Sequence, residues 1–171
     1  MLLLAADEAR FGRIGQVMKA WCPPGARPLV AKQLVREYVY AYAAVAPELG
    51  QMTTLVLPYA NTQMMNLFLE QVSVEFANYF IVMQVDGAAW HRSQELVIPE
   101  NIRLLFQPAH SPELNPIEHV WEELREKHFY NRVFDSIDAV MNTLCEGLKR
   151  LIDLPEHLSS MTYFPHLKLT P

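Results

Sequence analysis

Apolar and polar positions change their period several times along the chain, and each change marks an element. Leu2–Ala6 is an unbroken apolar run that stops at Asp7-Glu8, the pattern of a short strand covered on both faces. Gly15–Trp21 and Arg27–Val35 flank Cys22-Pro23-Pro24-Gly25-Ala26, a Pro-Gly turn, and this predicts an antiparallel pair. Arg36–Ala46 alternates Tyr38, Tyr40 and Tyr42 with smaller residues and predicts another strand, and the β-branched Met52–Pro58 a further one ending at proline. Asn61–Asn78 switches to helical spacing through Met65, Phe68, Leu69, Val72 and Phe76. Tyr79–Val85 is nearly all apolar and closes on Asp86-Gly87; Ile102–Phe106 is a second short strand. Beyond it the pattern is helical: Asn115 as N-cap, Pro116 at the first helical position, then a stripe of Ile117, Val120, Trp121 and Leu124. A second amphipathic helix runs over Asp135–Asp153. Strands first, a helix crossing over, then strands alternating with helices predict an α/β domain, a mixed sheet with helices packed on it.

Composition narrows the class. With 171 residues, 51% hydrophobic and 19% charged, the chain is one domain's length with enough apolar mass for a core. No apolar run approaches the roughly 20 residues of a membrane helix, and no membrane partner is expected. Met1–Arg10 lacks the basic start and the long apolar stretch of a signal peptide. Cys22 and Cys145 are far apart and without metal-ligand spacing, which points to a reduced, cytoplasmic protein. A formal charge of −5 argues against a dedicated nucleic-acid binder. Cations are nevertheless concentrated before Glu37, where Arg10, Arg13, Lys19, Arg27, Lys32 and Arg36 face only Asp7 and Glu8.

Three carboxylates stand at element ends. Asp7 and Asp86 each close an apolar strand; if those strands are parallel neighbours, both emerge at the sheet edge where open α/β sheets place their sites. Glu118, at the start of the helix after Ile102–Phe106, can approach the same edge. Three such groups repel one another and resist ionising together. A divalent cation relieves that repulsion, and Mg²⁺ takes hard oxygen ligands of this kind. Two ions about 3.5–4 Å apart stabilise the attacking and leaving oxygens of an in-line phosphoryl transfer. Each residue also has a structural reading. Asp86-Gly87 is a common turn dipeptide. Glu118 lies three residues after Asn115, the capping-box position.

The motifs themselves carry a resemblance. Ser111–Arg125, "SPELNPIEHVWEELR", resembles the segment that bears the third acidic residue of DDE-superfamily transposases, in the bacterial insertion-sequence branch of the mariner superfamily, and places that residue at Glu118. Val82–Ser93, "VMQVDGAAWHRS", is similar to the second-aspartate segment, with Asp86 as the acid and His91 at the family's nearby histidine. "AADEARFG" followed by "WCPPGARP" resembles the first-aspartate strand and hairpin and places the first acid at Asp7. The likeness runs from about residue 3 to about residue 130; the "SPELNPIE" block is its most specific part. The interval between Asp86 and Glu118, 31 residues, is slightly shorter than usual for the superfamily, and the turn after Asp86 is less polar.

The resemblance implies a ribonuclease-H-like fold, a five-stranded mixed sheet whose first three strands are antiparallel, flanked by helices. It implies two Mg²⁺ or Mn²⁺ ions held by Asp7, Asp86 and Glu118, which cut DNA at transposon ends and transfer the strand to target DNA. It further implies a dimer on DNA and a bacterial, cytoplasmic setting. Relatives carry helix-turn-helix DNA-binding modules before the catalytic domain. Here residues 1–171 are expected to form the catalytic domain alone, with that module absent or on a separate polypeptide. The competing reading is a decayed or domesticated remnant acting as a non-catalytic DNA-binding or assembly module. A ribonuclease or Holliday-junction nuclease is the third, and "SPELNPIE" speaks against it.

Arg10, Arg13 and His91 are candidates for DNA phosphate contacts, His91 being equally well explained as a half-buried structural histidine. Glu122, one turn past Glu118, is the fallback ligand. Trp90 and Trp121 are expected to be core anchors rather than base-stacking platforms. The tail from Glu156 to Pro171 carries no readable chemistry; packing along the sheet or an interface is the expectation.

Overall fold

The computed structural model describes residues 1–19, 21–109 and 111–165. Its element order is β1 (Leu2–Ile14), β2 (Leu34–Ala46), β3 (Gln51–Leu57), α1 (Thr62–Glu75), β4 (Ile81–Val85), β5 (Ile102–Phe106), α2 (Ile117–Leu124), α3 (Ile137–Ile152) and α4 (Pro155–Thr162). The five strands form one mixed sheet in the order β3-β2-β1-β4-β5. β1, β2 and β3 are antiparallel neighbours, while β1–β4 and β4–β5 are parallel.

Strand alternation assigns the two faces. Leu2, Leu4 and Ala6 of β1 point with Ile81, Met83 and Val85 of β4 toward α1, whose Met65, Phe68, Leu69 and Val72 are buried. Ala5, Ala9 and Phe11 point the other way, onto α2, α3 and Leu158 of α4. Helical spacing supplies the stripes that meet the sheet: Ile117, Val120, Trp121 and Leu124 of α2 are all at most 1% exposed. Side-chain caps fix two helix starts, with Asn61 Oδ1 accepting from the Met64 N–H and Ser136 Oγ from the Ala139 N–H. Gly50, between β2 and β3, has φ +61°, and a Cβ there would stand 2.1 Å from the Pro155 carbonyl oxygen. Glycine at this position lets α4 dock against the β2–β3 turn.

Two expectations are corrected. β1 does not end at Asp7 but runs on to Ile14, because its register with β2 continues from Ala5–Val45 to Ile14–Leu34. Gly15–Trp21 and Arg27–Val35 are not a strand pair. The Pro-Gly turn forms, with the Ala26 N–H on the Pro23 carbonyl and Gly25 at φ +85°. Its flanks, however, have no apolar layer to bury into: Val17, Trp21 and Leu29 are 60%, 105% and 100% exposed. α4 was not expected. It buries Leu158 and Thr162, and Ser159 Oγ donates to the Pro47 carbonyl. Of the expectations on the tail and the hairpin, those for His166–Pro171 and Ala20 lie outside the described residues, as does His110 at the head of the "SPELNPIE" block. Among the described residues no helix is long and apolar enough to cross a membrane.

Candidate active site

Parallel pairing between β1 and β4 brings the first two acids together. The register runs from Leu2–Ile81 to Ala5–Gln84. Two residues further on, the same register sets Asp7 beside Asp86. β4 ends at Val85 while β1 continues, so Asp86 sits at the strand's carboxyl end and Asp7 beside it on the longer strand.

The third acid arrives through polar ties between the turn before α2 and the sheet. Gln84, 7% exposed in β4, donates through Nε2 to the Leu114 carbonyl. Asn115, 2% exposed, donates through Nδ2 to the Ala6 carbonyl, and its Oδ1 accepts from the Ile117 N–H at 3.4 Å. Pro116 has helical dihedrals, φ −65° and ψ −16°, and is itself the N-cap of α2, which begins at Ile117, one residue later than expected with Asn115 as the cap. Glu118 lies in its first turn. A capping box would need the Glu118 carboxylate on the Asn115 N–H, but that N–H donates to the Pro112 carbonyl at 2.9 Å. The Glu118 carboxylate accepts no hydrogen bond among the described residues. The capping explanation therefore fails.

Asp7, Asp86 and Glu118 line one open cleft of ≈ 480 Å³, together with Gly87, Ala88, Gln107, Asn115 and, before α2, Pro108, Ala109, Ser111 and Pro112. Glu122 lines the neighbouring groove on the far side of Glu118, not this cleft.

Each aspartate is held by one oxygen. Asp7 Oδ2 accepts from Trp121 Nε1 at 3.0 Å. Asp86 Oδ1 accepts from the Ala88 N–H at 2.9 Å and meets His91 Nδ1 at 2.8 Å. The other ring nitrogen of His91 lies 2.9 Å from Glu8 Oε1, which also accepts from Trp90 Nε1 at 3.3 Å. His91 is 2% exposed, with both nitrogens engaged. It serves as a link between Glu8 and Asp86 and is not free to meet a phosphate. Trp90 and Trp121 are anchors, as expected, but each anchors a carboxylate as well as the core. Glu8, Gln84 and Asn115 were not singled out from sequence. The readable signal for Glu8 was its place beside Asp7 on a buried strand, where alternation turns it to the opposite face and obliges it to find a donor.

Electrostatics set this cleft apart. Burial, followed by the charge of Glu8, pushes the Asp7 carboxyl from 3.8 up to about 7; the Trp121 hydrogen bond opposes the rise and Glu118 adds to it. Glu118 is also raised, by burial first; Arg125 opposes this, while Glu122 and Asp86 reinforce it. Burial pulls His91 down, but hydrogen bonding and charge from Glu8, then Asp86, leave it raised overall. Such a set of mutually repelling acids, with only His91 bonded to one of them among the described residues, suits hard-oxygen coordination of a divalent cation. As they stand, no three His, Cys, Asp or Glu side chains among the described residues form a ready-made metal cage.

Arg10 and Arg13 lie farther along β1. Arg13 bonds Glu37 at 2.7 Å and the Phe134 carbonyl; Arg10 stacks over Tyr38 at 4.5 Å. Neither lines the cleft.

With this geometry in place, the comparisons are direct. Residues 3–141 match a family model described as DDE superfamily endonuclease. The chain belongs to that family. A Sinorhizobium fredii protein, y4pE/y4sA, itself uncharacterized, is 36% identical over 126 residues, covering 72% of this chain and 93% of its own length. Among solved structures, the Mos1 strand transfer complex superposes with TM-score 0.64 at 15% identity, covering 94% of this chain and 54% of its own. The Mos1 mariner paired-end complex with Mn gives 0.63 at 16%, covering 95% and 56%. Mos1 is a transposase. The chain thus spans about half the length of the Mos1 chains it matches, and at this identity the likeness is one of fold. That fold is the mixed five-stranded, ribonuclease-H-like sheet expected from sequence, and the DDE membership is the one that "SPELNPIEHVWEELR" suggested.

Proposed function

We propose that this DDE-family chain is a transposase catalytic domain that cuts DNA at transposon ends and joins the freed strand to target DNA, with Asp7, Asp86 and Glu118 as its metal-binding catalytic triad. The carrying observation is that these three carboxylates, from β1, the end of β4 and the first turn of α2, line one cleft and, among the described residues, no cationic side chain bonds any of them except His91 on Asp86. Family membership and the Mn-containing Mos1 complex support the choice of a divalent cation.

The donor set fits two Mg²⁺ or Mn²⁺ ions. When bound, the ions would polarise the scissile phosphate and acidify the attacking water or 3′-hydroxyl. The chain's own residues prepare the site for this. Trp121 fixes one oxygen of Asp7 and leaves the other directed to the cleft. His91 and the Ala88 N–H do the same for Asp86. Glu118 has no tether, so it can rotate to complete a coordination shell that the two aspartates begin. Burial of Asp7 favours its protonated form until a cation enters, which couples metal binding to proton release.

DNA, as transposon end and target, is the partner on this reading, and residues 1–171 act as the catalytic domain of an assembly that is dimeric on DNA. The test is nicking of supercoiled plasmid with Mn²⁺ by the parent chain, by Asp86→Asn, by Glu118→Gln and by Glu122→Gln. Nicking by the parent and by Glu122→Gln, lost in the other two, is expected. Equal behaviour of parent and Asp86→Asn would remove the catalytic assignment and leave the non-catalytic remnant.

A further inference from the structure

Beyond Ala5–Gln84, β1 has β2 on one side and no strand on the other. The Leu2 N–H donates to the Phe80 carbonyl on the β4 side, so strand alternation turns the N–H groups of Arg10 and Gly12 to this open side. A small hollow opens there, walled by Arg10, Arg125 and Arg132 over a floor of Phe11, Phe129 and Phe134.

The three guanidinium groups are set in place by neighbours other than acids. Arg10 lies 4.5 Å over Tyr38, Arg125 5.4 Å over Phe11 and Arg132 5.3 Å over Phe134. Arg132 Nη1 also donates to the His128 carbonyl at 2.9 Å. Among the described residues the ion pairs of arginine and lysine are Arg13–Glu37 and Lys127–Glu123, so none of the three has a carboxylate partner. No acid lines the hollow. His128, between Arg125 and Arg132, is held below its ordinary pKa by burial first and then by Arg150, Arg132 and Lys127, with Glu146 opposing. The walls are tied together: Asn131, at φ 58°, donates its N–H to the Gln16 carbonyl and accepts the Met18 N–H through Oδ1.

The hollow has ≈ 30 Å³ of accessible space. A water needs roughly 10–15 Å³, so it admits about two water-sized groups and no small organic ligand. Converging guanidinium groups and main-chain N–H donors suit the oxygens of a phosphate carried by a larger polymer. Its position relative to the acidic cleft is set by two elements. Asp7 to Arg10 is three strand residues, about 10 Å. Glu118 to Arg125 is two helical turns, again about 10 Å. That separation is on the scale of neighbouring phosphates along one DNA strand.

We propose that this hollow seats a DNA backbone phosphate close along the strand to the one lying over the acidic cleft, positioning the strand for the chemistry. The proposal rests on the DNA-cleaving reading above for its partner, and Arg10, Arg125 and Arg132 are its binding residues.

The test is binding of the chain to a fluorescent duplex oligonucleotide, by anisotropy, over a series of salt concentrations without divalent metal. Each phosphate contact contributes about 0.9 to the slope of log K against log salt. Arg132→Gln and Arg125→Gln are each expected to lower that slope by about 0.9. Arg132→Lys, which keeps the charge, is expected to retain it and shows that folding is not the cause. Arg103→Gln, on β5 over Phe80, is expected to change nothing. Unchanged slopes in both glutamine variants, or an equal loss in Arg103→Gln, would overturn the proposal. So would inorganic phosphate binding calorimetrically to the parent but not to Arg132→Gln while their DNA slopes agree, since the hollow would then serve the free ion. No cleavage is read here: altered slopes with no nicking would sink the catalytic reading alone, and intact nicking with unaltered slopes would sink only this one.

Discussion

The imidazole of His91 and the carboxylate of Glu8 meet at 2.9 Å inside the protein, their side chains only 1% and 5% exposed. The other nitrogen of the same ring meets Asp86 at 2.8 Å. A buried carboxylate two bonds removed from the cleft thereby decides where Asp86 points, in the way outer partners orient the ligands of metal sites. Removing such partners typically lowers metal affinity about 10–100-fold. Glu8→Gln and His91→Ala are each expected to weaken Mn²⁺ binding by a factor in that range, read by calorimetry on folded protein. A folded His91→Ala chain with parental affinity would show that Asp86 needs no such support.

Trp121 Nε1 donates to Asp7 Oδ2 at 3.0 Å. Trp121→Phe keeps most of the packing in the α2 stripe and removes only the donor. Losing a hydrogen bond to a charged group costs about 1.5–3 kcal/mol, more than the loss of a neutral one. Above about pH 7, where Asp7 is ionised, a lower urea midpoint is the expected result, together with weaker Mn²⁺ binding, because the donor both holds the ionised form and aims it. An unchanged midpoint in that pH range would show that Trp121 does not hold the ionised carboxylate.

Much of this arrangement was legible in the sequence, and the exceptions have a common cause. Ile102–Phe106 was bounded correctly because its apolar run stops where the sheet stops. The helical spacing of Met65, Phe68, Leu69 and Val72, and of Ile117, Val120, Trp121 and Leu124, marked α1 and α2 because that period is local. The three carboxylates were named by motif; the parallel β1–β4 register brings Asp7 and Asp86 together, and Gln84 and Asn115 hold the turn that delivers Glu118. What could not be read depends on partners distant along the chain. β1 continues past Asp7 because β2, some thirty residues later, supplies the opposite ladder, and nothing within "EARFGRI" reveals that. The expected hairpin strands failed for the converse reason: they alternate without any layer to bury against. The His91–Glu8 link joins residues 83 apart, and no spacing rule covers it.

Gly50 tests how α4 is attached. With φ +61° and the Pro155 carbonyl where a Cβ would be, Gly50→Ala requires both a left-handed alanine and retreat of the α4 start. Strain and overpacking of this kind cost about 1–3 kcal/mol. A lower urea midpoint is expected, with Mn²⁺ affinity unchanged because Gly50 and Pro155 line a different groove from the three acids. A neutral substitution would mean that the β2–β3 turn and α4 move apart freely.

Asp7 gives the stability of the metal-free chain a definite pH dependence. Its carboxyl is raised from 3.8 to about 7, mainly by burial, so between those values the folded chain holds a proton that the unfolded chain has released. Stability therefore falls as pH rises through this window and levels off above about 7. His91, also raised, acts in the same direction: its contribution is complete below 6.5 and fades as pH climbs through its folded value. Asp7→Asn removes the first of these contributions and leaves the second. The difference in urea midpoint between parent and Asp7→Asn is the cleanest reading, and the parent is expected to lose ground steadily from about pH 4 to about pH 7. Mn²⁺ should reverse that loss in the parent at neutral pH, since a cation that binds only the folded, ionised site stabilises it by mass action, and should do little for Asp7→Asn. A difference that stays flat with pH would show Asp7 ionising like an exposed aspartate, which is incompatible with the buried, mutually repelling carboxylates on which the metal assignment depends.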